Sequence, residues 1–372
     1  MSNTLGIIFS NIHERDIKEL TSIRTLASVP FGGRYRLIDF VLSNMINSGI
    51  TNIGIITKYN YQSLMDHLQS GKSWDLSRKN GGLTILPPFN NEKSRTVYSS
   101  RLEAIKNVES FIRHNPSDYI LMADCDIVCN FDYGPVIAEH ERRGAEITLI
   151  YRKHKVTASQ LAHKRLFLDI DEDSKVKGLR NVSEGDEANV YTDFMLINSS
   201  LLLYILDHCD EWGVKSFSRD IISKCVDYRT YAYKLDGYYA TISSLADYYK
   251  HSMELLDPEV INELFYKGGQ YIYTKVRDSA PTRIMSGAVV KNSLIPDGCI
   301  IKGKVENSII FRDCVIEEGV TITNSIIMQD SIIEKGSTLN CVIMDKGAHV
   351  LPGRLLSGHS TRPYYIEKDV VI

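Results

Sequence analysis

The sequence predicts an α/β domain with a Rossmann-like, largely parallel sheet, followed by a parallel β-helix. Two observations carry that prediction. Short apolar runs alternate with helically spaced stretches through the first part of the chain, and near-copies of one tetrapeptide recur through the last part. Leu5-Gly-Ile-Ile-Phe9 is an apolar run fit for a buried strand. Asp39 to Ser48 follows with helical spacing through Phe40, Val41, Leu42, Met45 and Ile46. Asn52-Ile-Gly-Ile-Ile-Thr57 is a second strand, Leu102 to Arg113 a helix, and Tyr119-Ile-Leu-Met-Ala123 a third strand. Strand–helix–strand order at this spacing implies parallel pairing with right-handed crossovers. In such sheets a ligand lies beyond the carboxyl ends of the strands, which directs attention to the loops after Phe9, Thr57 and Ala123.

The pattern changes after about Met285. Asn292-Ser-Leu-Ile, Asn307-Ser-Ile-Ile, Asn324-Ser-Ile-Ile and Asn340-Cys-Val-Ile recur at intervals of 15, 17 and 16 residues. Between them lie turns ending in Gly298, Gly303, Gly319, Gly336 and Gly347. Three short strands and three turns per coil, with Ile and Val stacking inside and Gly at turns that need positive φ, is the grammar of a β-helix. A β-sandwich would not require so regular a spacing. The predicted division is a first domain over 1–256, a connection over 257–283 containing Pro258, Gly268, Gly269 and Pro281, and a β-helix over 284–372.

Composition bounds the function. A chain of 372 residues, 43% hydrophobic and 24% charged, is long enough for two cores. Its formal net charge of -3 offers no whole-chain attraction to nucleic acid or to a membrane surface, so anions must be held by a local cluster. No apolar stretch approaches the roughly 20 residues of a membrane helix, and the N-terminus has no basic leader. Seven cysteines without a CxxC pair point to a reducing compartment, and the expected location is cytoplasmic.

Val29-Pro-Phe-Gly-Gly-Arg-Tyr-Arg-Leu-Ile-Asp-Phe40, followed by Leu42-Ser-Asn-Met-Ile-Asn-Ser-Gly-Ile50, resembles the glucose-1-phosphate adenylyltransferase signature. Ser216-Phe-Ser-Arg-Asp-Ile-Ile222 with Leu235-Asp-Gly-Tyr-Tyr239 is a second match, and with the β-helix the resemblance covers nearly the whole chain. It implies a nucleotidyltransferase domain of the GT-A-like type, a left-handed β-helix, and a role around ADP-glucose synthesis from ATP and glucose 1-phosphate for glycogen.

The departures from the family pattern shape the functional expectation. Where the family wraps a triphosphate with a glycine-bearing loop, this chain reads Phe9-Ser-Asn-Ile-His-Glu-Arg-Asp16, without glycine and with Glu14 and Asp16; Arg15 compensates at most in part. The family lysine ahead of Val29-Pro30 is Leu26. The segment approaching the nucleobase becomes Ser100-Arg-Leu-Glu-Ala104, and the sugar-phosphate grip becomes Asn181-Val-Ser183. Of the two metal-binding carboxylates the family implies, one falls on Asp126, with Asp124 as the alternative register, and Thr241 stands where the other belongs. The chain is therefore similar to GlgD-type regulatory subunits. The expectation is that no catalytic set is intact, that Asp126 is a vestigial metal position, and that this chain needs no cofactor while Mg²⁺ serves its catalytic partner. A catalytically active glucose-1-phosphate adenylyltransferase, using Asp124, Asp126 and Asp236 for magnesium, is the alternative. An acyltransferase on the β-helix would need a histidine between coils, and His349 and His359 lie at or beyond the last repeat.

The resemblance also implies an anionic-effector site at Arg24, Arg36 and Lys346, since guanidinium groups bind phosphate through paired hydrogen bonds. Surface or interface ion pairs are the competing reading of these three. The expected partners are a catalytic subunit in a hetero-oligomer, further copies of this chain in a tetramer, and a small anionic metabolite, with no nucleic acid and no membrane. His13 and His67 read as surface or loop histidines. Tyr238, Tyr239, Tyr248 and Tyr249 read as packing residues, and Lys72, Arg78 and Lys79 near Trp74 read as a solvated loop.

Overall fold

The computed structural model describes residues 3–12, 16–88, 98, 100–214 and 216–372, apart from the side chains of residues 218–219 and 224–226. His13, Glu14 and Arg15 of the phosphate-loop region, and the side chains of Ser218 and Arg219 in the second motif, lie outside the described residues.

Apolar runs of β-branched residues form the centre of the first domain's sheet. Thr4–Phe9, buried throughout, pairs in parallel with Asn52–Ile56 on one side and Tyr119–Asp124 on the other, and Asn52–Ile56 carries Gly82–Leu86, again in parallel. Beyond Tyr119–Asp124 the sheet turns antiparallel. Glu187–Asn198 pairs with Tyr119–Asp124 and holds both Ile147–Lys155 and Phe167–Ile170, while Thr230–Lys234 lies parallel to Ile147–Lys155. Among the described residues this sheet has nine strands. Two apolar clusters cover its faces, one around Ile7, Ile105, Ile120 and Met195, the other around Ile8, Val41, Ile55 and Leu196. The helix expected from Asp39 spans Leu37–Asn47. Its start is set by Asp39, whose carboxylate accepts the Arg36 backbone N–H at 3.0 Å. The helix expected over Leu102 to Arg113 is two, Arg101–Asn107 and Glu109–His114. Val108, at φ -112°, breaks the turn between them.

From Arg283 onward three parallel sheets stack as the sides of the β-helix. Ile301, Ile316, Ile333 and Val350 form one inward ladder and Val305, Ile322 and Leu339 another, all fully buried. Asn292, Asn307 and Asn324 stand at corners with φ of 41°, 46° and 48°, where asparagine tolerates the left-handed conformation. The fourth copy needs a correction. Ile326 pairs with Ile343 and Ile327 with Met344, so the residue matching Asn324 is Cys341, at φ 53°, and not Asn340. Stacking decides the register, whatever the local likeness of Asn340. Gly303 also differs from its expectation: it has no positive φ, and a Cβ there would meet the Val320 carbonyl oxygen of the next coil at 2.6 Å. Close approach of backbones requires the glycine, not turn geometry.

The β-helix docks on the first domain through a shared apolar cluster. Phe31, Phe40, Tyr248 and Leu255 from one side meet Ile309, Phe311, Ile326 and Met328 from the other. The Tyr248 hydroxyl donates to the Pro30 carbonyl at 2.7 Å, and the Tyr249 hydroxyl donates to the Asn324 carbonyl across the boundary. Both tyrosines are packing residues, as their spacing predicted.

Candidate functional site

Two clefts bring together the residues singled out above. The first lies at the carboxyl ends of Thr4–Phe9 and Tyr119–Asp124. Ser10 and Asn11, which open the loop expected to lack phosphate-binding character, are almost fully buried. The Ser10 backbone N–H donates to the Ile56 carbonyl at 3.1 Å and its hydroxyl donates to the same oxygen at 2.8 Å. Asn11 Nδ2 donates to the Tyr59 carbonyl. The start of this loop is thus tied to the sheet by its own polar groups.

The segments carrying Asp126 and Thr241 lie side by side. Tyr239–Thr241 pairs antiparallel with Ile127–Cys129, placing Thr241 opposite Ile127, and the Ile242 N–H donates to the Asp126 carbonyl at 2.7 Å. Asp126 is fully buried, and its carboxylate accepts a hydrogen bond from the Arg165 guanidinium. The same guanidinium also donates to Asp193. Arg101, the first residue of its helix, reaches Asp124 through Nε at 3.3 Å and through a closer ion pair, and reaches Asp193 at 2.9 Å. Two arginines and three aspartates therefore form one buried network. Burial works to lower the Arg165 guanidinium, but Asp126 and then Asp193 outweigh it and hold it above its ordinary value. Arg101 is raised in the same way, burial being overcome by Asp124 and Asp193.

Arg165 and Asp193 were missed by sequence reasoning. Asp193 interrupts an apolar strand between Tyr191 and Ile197, and that interruption was the available signal. It stands at a bulge between Tyr191 and Met195 with φ of 61°, so the irregular backbone aims its side chain into the network. The Thr241 hydroxyl donates to the Tyr239 hydroxyl at 2.9 Å. A divalent cation does not fit this donor set. One position offers a neutral hydroxyl, the other a carboxylate engaged by a guanidinium, and among the described residues no group of three or more His, Cys, Asp or Glu is arranged to hold a metal. Asp236, the third carboxylate of the alternative reading, is mostly exposed and paired with Lys234 at 2.9 Å, away from the network. A polar groove of about 260 Å³ opens beside Thr241, lined by Arg152, His154, Ser159, Tyr239, Ser243 and Lys250 among others.

The second cleft lies between the domains. Arg24 is buried and paired with the fully buried Asp345 at 2.8 Å. Arg36 donates to the Ser63 hydroxyl at 2.9 Å. Lys346 follows Asp345, is 9% exposed, and makes no side-chain ion pair among the described residues. Arg24 and Lys346 line an open groove of about 400 Å³ together with Ser63 and Lys368. Lys275, Arg277, Arg34 and Arg312 line the adjoining recess beside Arg36. Burial, then the charges of Arg36 and Arg24, push the Lys346 ammonium down to about 6, with Asp345 opposing. Burial lowers Arg36 to about 10, Asp39 opposing and Arg24 adding to the shift. Of the sequence-predicted trio, Arg24 and Lys346 thus share one groove and Arg36 lines the recess beside it; for Arg24 the ion-pair reading also holds.

His67 departs from its expectation as a surface or loop histidine. It is 6% exposed and its Nε2 lies 2.6 Å from the Asp39 carboxylate, with the ring edge against Trp74, which is itself buried. Burial lowers its pKa despite Asp39. Lys72 and Lys79 are exposed as expected, and Arg78 bonds Asp75 within the loop. On the β-helix, His349 stacks on Ile332 of the preceding coil and contacts Glu334 at 2.6 Å, and His359 contacts Thr361. The six cysteines with described side chains are buried and free, and no helix is long and apolar enough to cross a membrane among the described residues.

Comparison with known proteins agrees with this architecture. Residues 17–160 match the Nucleotidyl transferase family and residues 280–360 match the family described as GlmU-like, C-terminal hexapeptide. The chain is 34% identical to the Glycogen biosynthesis protein GlgD of Bacillus subtilis (strain 168) over 99% of its length and 96% of that protein. It is 37% identical to the protein of the same name from Geobacillus stearothermophilus, with the same coverage. It is also 31% identical to the Glucose-1-phosphate adenylyltransferase of Clostridium perfringens (strain 13 / Type A) over 82% of this chain and 77% of that one. With its nucleotidyltransferase domain, its hexapeptide-type β-helix and near full-length likeness to GlgD proteins, the chain belongs to the glucose-1-phosphate adenylyltransferase family, as a member of the GlgD type.

Proposed function

We propose that this chain is a regulatory subunit, with little or no catalysis of its own, that modulates ADP-glucose synthesis from ATP and glucose 1-phosphate in glycogen biosynthesis. The observation that carries the reading is the Asp126–Thr241 pair. Where phosphoryl-type transfer needs carboxylates to hold a charge-neutralising cation, the chain offers one carboxylate already engaged by Arg165. The names of its relatives support the pathway. In this reading the interdomain cleft at Arg24, Arg36 and Lys346 takes a small anionic metabolite. Because those residues come from both domains, occupancy bears on the packing between them. A catalytic homologue, joined in a tetramer and using Mg²⁺, supplies the chemistry.

What this chain's own residues do follows from their geometry. Arg101 and Arg165 neutralise the cleft carboxylates. Ser10 and Asn11 hold the first loop to the sheet. Lys346 accepts a proton when an anion enters beside it. The test is ADP-glucose formation with magnesium, the chain alone and then mixed with a catalytic homologue from the same organism. No turnover alone, with altered rate or affinity in the mixture, supports the proposal; turnover alone comparable to a normal family member refutes it and favours the catalytic alternative.

A further inference from the structure

We infer that the apolar groove at the amino end of the central parallel strands receives a second copy of this chain, whose Arg354–Leu355 corner on the β-helix enters it. The groove holds about 550 Å³ and lies between the start of Thr4–Phe9, the turn after Leu37–Asn47 and the helix Gly134–Arg143. It is at the opposite end of the strands from Asp124, which pairs with Phe9. Ile50, Ile137 and Ala138 make its surface apolar, and its charge is of one sign: Asp132 and Glu141 line it, and no lysine or arginine does. Asp132 Oδ1 accepts the Ser48 hydroxyl at 3.1 Å and the Gly134 N–H at 2.8 Å, while its Oδ2 has no partner among the described residues. Glu141 makes no side-chain hydrogen bond or ion pair among them either. Thr4, also in the lining, is 7% exposed, and its Oγ1 is buried without a hydrogen-bond partner. A buried hydroxyl left unpaired and carboxylates left without a cation describe a surface that is incomplete in one copy.

The complement such a groove asks for is an aliphatic side chain beside an unpaired cation, and the chain carries one. In Leu355–Ser357 the pairing of Leu356 with Leu339 turns Leu356 inward, and strand alternation turns Leu355 out. Leu355 is 77% exposed, and Arg354 beside it is exposed with no side-chain partner among the described residues. The five N–H donors of a guanidinium suffice in number for Asp132, Glu141 and Thr4 together. Val276 has cations on both sides, but Lys275 and Arg277 line the recess beside Arg36. If a two-fold axis relates the copies, each supplies one groove and one corner, so the contact is made twice. An aliphatic anchor in a pocket with charges at its rim suits a dimer that dissociates at micromolar concentration. The inference is independent of whether the chain catalyses and of which anion it takes.

The experiment is sedimentation equilibrium of the full chain, with wild type, Leu355→Asp, Ile284→Asp, Glu141→Arg, Arg354→Glu and the double variant Glu141→Arg with Arg354→Glu. All four positions are exposed, so each variant keeps its core. The expected result is self-association of wild type and of Ile284→Asp, weakened at least about tenfold by Leu355→Asp and by either charge reversal. The double variant restores association to within roughly threefold of wild type, because the reversed charges again face one another. A wild type that stays monomeric to roughly 100 µM overturns the inference. So does association that Leu355→Asp leaves unchanged, or that Ile284→Asp removes in its place. A double variant no better than its two single variants overturns it as well. If Leu355→Asp leaves self-association intact but abolishes association with a catalytic homologue, the second copy is the wrong occupant.

Discussion

Adding sulfate at pH 7 is expected to draw a proton out of solution and onto Lys346. Burial, with Arg36 and Arg24 beside it, brings the ammonium down from 10.5 to about 6. At pH 7, one unit above that value, roughly one chain in ten carries the charge. A dianion in contact with the amine reverses the balance that lowered it, because opposite charge favours the ammonium. Restoring the pKa to the ordinary lysine range gives an uptake of about 0.9 proton per chain. Linkage then makes anion affinity rise roughly eightfold to tenfold for each unit of pH lost between 8 and 7. The same shift has a sign for stability: between about pH 6 and 10.5 the unfolded chain holds a proton that the folded one has shed. Lys346 therefore makes stability climb with pH across that window. The assay is a pH-stat titration with sodium sulfate, against sodium chloride at matched ionic strength, on wild type and Lys346→Gln. Uptake below about 0.2 proton, or equal uptake in Lys346→Gln, would refute an anion site built around Lys346.

Three further outcomes follow from packing and electrostatics. Arg24→Met leaves the fully buried Asp345 with the Tyr365 hydroxyl and the Lys346 N–H but no cation, which should cost about 3–5 kcal/mol in urea unfolding. Ser244→Ala removes the hydroxyl that accepts the Asp247 N–H at the start of Leu245–Met253 and should cost about 1 kcal/mol, with unchanged circular dichroism. His67, His140 and His154 are all lowered, first by burial, so the unfolded chain protonates before they do. Their contribution is present above about pH 6.5 and is lost as pH falls from there through their folded values. Urea midpoints should therefore drop between pH 7.5 and 5.5, and a flat profile would contradict the burial of these rings.

The place of this chain among its relatives was legible in Val29 to Ile50, because that segment acts locally. Its glycines turn the backbone, Asp39 in the first turn of the helix accepts the N–H of Arg36 ahead of it, and the helix presents Val41 and Met45 to the sheet. Likewise the Asn-Ser-Ile-Ile copies announced the β-helix, since each coil repeats one short-range pattern. The motif around Tyr238 and Tyr239 also drew attention to Thr241, whose strand pairs with Ile127–Cys129 next to Asp126. The antiparallel half of the sheet carried no comparable signal, as nothing in Ile147 to Ile197 states its partners.

Composition, domain grammar and family thus belonged to the sequence by itself, because periodicity and motif are properties of neighbouring residues. Only the tertiary structure decided that Arg165 stands on Asp126, 39 positions away, and that Arg101 stands on Asp124 and Asp193. It also decided that Cys341, and not Asn340, takes the corner above Asn324, because coils align by stacking Ile343 on Ile326. The physical reason is the same in each case: burial makes a charge or a methyl group answer to whatever surrounds it in space, and those surroundings are assembled from strands far apart along the chain.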